Sequence, residues 1–171
     1  MTDHNSYENY PFWIPLLSVL LSLSIYALGF YILSGFGPIA VVLYLIVCLF
    51  VEFKVMSRSC VSCYYYGKFC GLGRGKLAPL FFKKGDPKRF TDRKIGLKDL
   101  IPDMLVVLFP LLGGIIYLFL HFNFLTLGLI LAIIILAMPV TGFMRTCFIC
   151  SNCKQRDLGC PAEKLFAKGK K

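Results

Sequence analysis

Acidic residues are scarce in this chain, nine Asp and Glu against 19 Lys and Arg, and histidine is scarcer still, with two. His4 lies near the N-terminus and His121 in a short turn away from every cysteine, so neither reads as a metal ligand. No Lys or Arg precedes Lys54, and Asp3 and Glu8 flank the first apolar run, which is therefore not expected to be a cleaved signal peptide. The apolar runs show no period-2 alternation, which argues against a membrane barrel. None of them carries a charge pair or a broken-helix pattern near its middle, so transport gains no support.

What is abundant is hydrophobic side chain, 57% of 171 residues, more than one soluble core of this size can bury. Four apolar spans can be drawn: Phe12 to Leu33, Pro38 to Met56, Ile101 to Leu120 and Phe124 to Met144. Each has roughly 20 residues, enough at ~1.5 Å per residue to cross a hydrocarbon core as a helix. The expected fold is an all-α integral membrane protein with four transmembrane helices in two tandem two-helix units. The implied divisions are an N-terminus 1–11, a first hairpin 12–56, a Cys-rich basic loop 57–100, a second hairpin 101–144 and a Cys-rich basic tail 145–171. Tyr7, Tyr10, Phe12 and Trp13 are expected to anchor the first helix at the headgroups.

All 19 Lys and Arg fall between Lys54 and Lys98 or between Arg145 and Lys171. The turns Ser34 to Pro38 and His121 to Asn123 have none. The positive-inside rule then puts both termini and both basic segments in the cytoplasm of a cell-membrane protein. This charge suits anionic lipid headgroups; no nucleic acid is expected, because no reading motif accompanies it. Glu52, Lys54 and Asp103 sit close to the same boundary, where ionisable groups are functional candidates or simply interfacial.

Seven of the eight cysteines lie in two related motifs. Arg58-Ser59-Cys60-Val61-Ser62-Cys63 is followed by Cys70, and Arg145-Thr146-Cys147-Phe148-Ile149-Cys150 by Cys153 and Cys160. Pro15 precedes Cys60 by the interval that separates Pro102 from Cys147, so the chain reads as an internal repeat about an axis along the membrane normal. Cys48, inside the second span, reads as a small packing residue.

In a reducing compartment, clustered cysteines point to metal binding or catalysis rather than to disulfides. All seven, Cys60, Cys63, Cys70, Cys147, Cys150, Cys153 and Cys160, are candidate ligands. Two further features border them. Tyr64, Tyr65, Tyr66 and Phe69 would shield the site or tune it by excluding water, and Arg58 and Arg145 would snorkel to the headgroups or offset thiolate charge. Gly71-Leu72-Gly73-Arg74-Gly75-Lys76 is either an anion nest or a flexible loop; it lacks the Ser or Thr of a Walker loop.

The run Cys147-x2-Cys150-x2-Cys153-x6-Cys160-Pro161 resembles the iron–sulfur run of bacterial ferredoxins over about fifteen residues, with six residues rather than three before the final Cys. The resemblance implies that Cys160 serves a cluster with Cys60, Cys63 and Cys70, while Cys147, Cys150 and Cys153 hold a second cluster with an open iron. The other partition closes one site from the four cysteines of the second motif. Zinc competes, because paired CxxC motifs also build tetrahedral four-thiolate sites.

The favoured reading is a membrane-anchored iron–sulfur protein carrying electrons between a cytoplasmic protein partner and a membrane carrier or complex. The alternative is a zinc-stabilised membrane scaffold with a basic docking face. A thiol oxidoreductase would need an exposed nucleophilic CxxC. Self-association and the identity of any substrate are left open.

Overall fold

The computed structural model describes residues 6–91 and 97–160, the side chains of residues 97–100, 102 and 103 excepted. The expectations for His4, for the Asp103 carboxylate and for residues 161–171 of the tail lie outside the described residues.

Among the described residues the regular elements are all helices, joined by turns and loops, with a single isolated bridge between Tyr7 and Cys153. The elements are α1 (Trp13–Ser34), α2 (Pro38–Val55), α3 (Ala78–Phe81), α4 (Pro87–Thr91), α5 (Leu97–Leu120), α6 (Phe124–Ile135), α7 (Thr141–Phe143) and α8 (Lys154–Asp157). Pro38 opens α2, where its missing N–H costs nothing, directly after Gly37 at φ 100°. The Asn123 side chain caps α6 by accepting the Leu125 N–H at 3.0 Å.

Two helices run past their expected ends. Beyond α2 the helix widens into a π segment, Met56–Cys60, and beyond α6 and α7 it does so at Leu136–Val140 and Met144–Cys150. Pro139 has no N–H to continue the α ladder, and the wider turn absorbs the gap while the Thr141 hydroxyl donates to the Leu136 carbonyl at 2.7 Å. Neither Arg-led motif contains a Gly or Pro to stop the helix. Ser57 donates back to Lys54 O at 3.1 Å and Thr146 to Phe143 O at 3.3 Å, bonds of the kind that bend a helix without ending it. Cys60, Cys147 and Cys150 therefore stand on helix ends.

Among the described residues three helical runs are long and apolar enough to cross a membrane: Trp13–Ser34, Pro38–Cys60 and Phe124–Cys150. Their outer faces carry unpaired apolar side chains; Ile39, for example, is 84% exposed. Within α5 the stretch Met104–Leu120 is likewise apolar.

The chain divides into two compact units. One comprises Leu20–Phe53 and Leu97–Gly142. In lipid no hydrophobic drive pulls helices together, so close packing and hydrogen bonds must hold this unit. Tyr44 supplies both. It is fully buried, its hydroxyl donates to the Val106 carbonyl at 3.0 Å, and its ring stacks on Phe109. Gly29 permits that fit, because a Cβ there would lie 2.6 Å from the Tyr44 hydroxyl oxygen. Ile32, Ile130 and Ile133 form the neighbouring core with Leu28, Val107, Leu111 and Leu129. Tyr26 donates to a Glu52 carboxylate oxygen, which gives this carboxylate a partner within the unit. Cys48 is buried here, as a packing residue should be. The other unit comprises Met1–Val19, Lys54–Gly96 and Phe143–Lys171 and holds all seven candidate ligands.

Candidate metal centre

The centre is assembled around four buried side chains from three separate stretches: Tyr10 and Ile14, Tyr65, and Ile149. Cys63, Cys70 and Cys153 pack against this cluster together with Tyr64 and Leu72. Thiols from both motifs thus share one aromatic and aliphatic floor.

Hydrogen bonds between distant parts of the chain fix the arrangement. The Tyr64 N–H, next to Cys63, donates to the Gln155 side-chain oxygen at 2.8 Å. The Lys154 N–H, next to Cys153, donates to the Tyr65 hydroxyl at 3.0 Å, and that hydroxyl donates to the Tyr7 carbonyl at 2.6 Å. The N-terminal segment threads between the motifs. Tyr7 N–H donates to Asn152 O at 3.0 Å, Tyr10 N–H to Phe69 O at 3.1 Å, and the Tyr10 hydroxyl to Ile149 O at 2.6 Å. Glu8 and Lys154 add an exposed ion pair at 2.7 Å, of a kind worth little in water.

Between Cys63 and Cys70 the chain makes tight turns closed by Tyr66 N–H to Cys63 O and Lys68 N–H to Tyr65 O, and the Gly67 N–H ties this segment to Gly75 O. The glycine run that follows is tightly packed at Gly75. A Cβ on Gly75 would lie 2.5 Å from the Tyr65 carbonyl oxygen and 2.7 Å from that of Lys68, so only glycine fits. Seated there, the Gly75 N–H donates to the Cys70 sulfur at 3.1 Å.

At two more cysteines nearby backbone groups offset part of the effect of burial: Tyr65 at Cys63, and Gln155 and Arg156 at Cys153, where the Arg156 N–H donates to the Cys153 carbonyl at 2.9 Å. An N–H aimed at sulfur stabilises the thiolate over the thiol and tunes a bound metal. Burial acts the other way. It pushes the Cys63 thiol up to about 11, with the nearby Cys153, Cys70 and Cys160 sulfurs adding to the shift. Burial likewise raises Cys153, against those two backbone groups and with Cys160 adding to the rise. Tyr65 is pushed up to about 12 and Tyr10 is raised as well, both chiefly by burial. A nucleophilic thiol needs a depressed value, so Cys63 and Cys153 are poorly suited to thiol–disulfide chemistry.

Positive charge surrounds the aromatic shield. The Lys68 ammonium stands 4.4 Å and that of Lys154 5.5 Å from the Tyr64 ring centre, and Lys76 stands 4.5 Å from that of Phe69. Arg145 and Arg156 act electrostatically on Cys150. Such charges favour a negative metal–thiolate group.

The seven candidates are not equally placed. Cys63, Cys70 and Cys153 converge on the buried floor, and Cys160 acts on Cys63, Cys150 and Cys153. Cys147 is exposed on its π segment, 3.8 Å from the Thr146 hydroxyl, and Cys150 is also exposed. All eight cysteines are free thiols. Among the described residues no three Cys, His, Asp or Glu side chains are already arranged as a metal-holding group. Metal binding would have to draw the sulfurs together.

Tyr10 differs from its expected place at the headgroups: it is 3% exposed and stitches the N-terminus to the second motif, whereas Phe12 and Trp13 remain exposed. Tyr10, Gln155 and Lys154 went unread as site residues because no spacing rule links residue 10 to 149 or 64 to 155.

Comparison of the chain with protein-family models, with curated proteins and with solved structures gives no match.

Proposed function

We propose that this protein is a membrane-anchored metal–thiolate protein, and that its metal is an iron–sulfur cluster passing electrons between a cytoplasmic protein partner and a membrane carrier or complex. One observation carries the reading: thiols from two motifs far apart in sequence gather on a single buried aromatic floor, where the Gly75 N–H donates to the Cys70 sulfur. Soft thiolates of this kind suit iron–sulfur clusters or zinc. The seven cysteines named above supply the ligands.

The membrane reading takes α5 as a fourth span beside the three long apolar runs, giving two hairpins, with both turns outside and the basic, cysteine-bearing segments in the cytoplasm. The shared Arg-x-Cys-x2-Cys spacing, entered in both copies through a π segment, supports reading the hairpins as a repeat. Lys and Arg near the inner leaflet would also attract anionic lipid.

A zinc-stabilised scaffold is the second reading. The Cys63 and Cys153 turns, cross-bonded through the residues that follow them, favour it, because paired turns from separate stretches suit a closed four-thiolate ion.

Anaerobic purification of the full chain in detergent, with iron, acid-labile sulfide and zinc counted per chain, tests both. Iron with sulfide and a visible absorbance bleached by dithionite support electron transfer. A colourless protein with stoichiometric zinc selects the scaffold. A protein that takes up neither refutes the metal reading.

A further inference from the structure

The seven candidate thiols admit several partitions, and the placement of the sulfurs favours one that joins the motifs. Cys63 and Cys70 lie on the floor made by Tyr10, Ile14, Tyr65 and Ile149, and Cys153, 90 positions beyond Cys63, lies on the same floor. The residues following Cys63 and Cys153 are cross-bonded at 2.8 Å and 3.0 Å, which locks these two turns side by side. The parallel bridge between Tyr7 and Cys153 holds the second turn from its other side. Cys160 reaches the group after the short α8 and a left-handed turn at Gly159, φ 98°. It acts electrostatically on Cys63 and Cys153, and also on Cys150, which is exposed and is not among the residues packed on the floor. Cys147, by contrast, is exposed on a helix end.

Resting on the metal–thiolate reading above, we propose that one four-thiolate site takes two ligands from each motif, Cys63 and Cys70 from the first and Cys153 and Cys160 from the second, with Cys147 outside it. The Cys70 sulfur has a backbone donor in place, the Gly75 N–H at 3.1 Å, so thiolate charge there is met as the proton leaves. The ion would then join stretches of chain that otherwise meet only through hydrogen bonds and packing, and its binding energy would hold the unit together.

Zn²⁺ serves as the probe, since four clustered thiolates bind it whichever metal the cell supplies. Chelated full-length protein in detergent receives one equivalent of Zn²⁺ and is then alkylated, with each cysteine read by peptide mass spectrometry. Protection of Cys63, Cys70, Cys153 and Cys160 together, with Cys147 still labelled, is the expected result. Protection of Cys147, Cys150, Cys153 and Cys160 without Cys63 overturns the shared site while leaving the metal reading intact. No protection at any cysteine, up to several equivalents, overturns both.

A second experiment compares zinc retained by Cys63→Ser, Cys153→Ser and the double variant. A shared ion is lost once, so the double variant retains as much as either single. Separate sites would lose one ion per substitution, and that additive loss overturns the proposal. The labelling pattern on the unsubstituted chain decides the matter even where a serine variant does not fold.

Discussion

Tyr65 offers the sharpest test of how the two cysteine motifs are held together. Its hydroxyl is buried and has two partners, donating to Tyr7 O and accepting from Lys154 N–H. Tyr65→Phe keeps the ring and removes both bonds. The bond to Tyr7 is worth about 1 kcal/mol net, and the Lys154 N–H left unpaired costs about 1–3 kcal/mol more. The turn that carries Cys153 should then open locally at a cost lower by about 2–4 kcal/mol, which at a factor of ten per 1.4 kcal/mol is about a 30- to 700-fold rise in its open population. Alkylation of Cys153 in metal-free protein, measured under conditions where opening is fast relative to labelling, reads that population directly. Tyr66→Phe is the control. It removes a single bond, to Phe82 O at 2.6 Å, that no residue near Cys153 shares. If Cys153 in Tyr65→Phe labels within threefold of the unsubstituted protein, the hydroxyl does not hold the second motif to the first and the assembly described here is wrong.

Four further outcomes follow from the same geometry. Gly75→Ala forces a methyl against two backbone carbonyls and should cost about 1–3 kcal/mol, seen as faster amide exchange across residues 65–75 and faster alkylation of Cys70. The Cys63 value of about 11 lies above the ordinary 9.0, so its protonated form favours the folded unit fully below pH ~9, and that contribution is lost as pH rises toward 11. Its alkylation rate in metal-free protein should accordingly keep climbing to about pH 11 instead of levelling near 9. Acidification should release the metal, because each ligand must lose a proton to bind, and metal content titrated downward in pH checks this. Cys48→Ala should leave metal content unchanged and cost about 1 kcal/mol or less, whereas a loss of metal would place Cys48 among the ligands.

The sequence alone determined the class of molecule and the chemistry available to it. Runs of some 20 apolar residues have one stable form in lipid, the helix, because backbone groups there find no water, and this holds without knowledge of neighbouring helices. The Lys and Arg asymmetry and the CxxC spacings are equally local, each read within a few residues of chain. Tertiary structure decided where the helices end and which thiols meet. Cys60 and Cys150 lie on π-helical extensions because their motifs hold no breaker and their Ser and Thr side chains bond back to the helix. The two motifs were separable in sequence, yet Cys153 sits with Cys63 and Cys70 because Tyr64, Tyr65 and Gln155 bond across a gap of about ninety residues, and no local pattern encodes a contact of that range. Tyr10 reads as a headgroup anchor by its neighbours in sequence and is a buried staple by its neighbours in space. Gly75 reads in sequence as part of an anion nest or a flexible loop, whereas in the fold its N–H donates to a sulfur, since the packed turn brings Cys70 within reach of it.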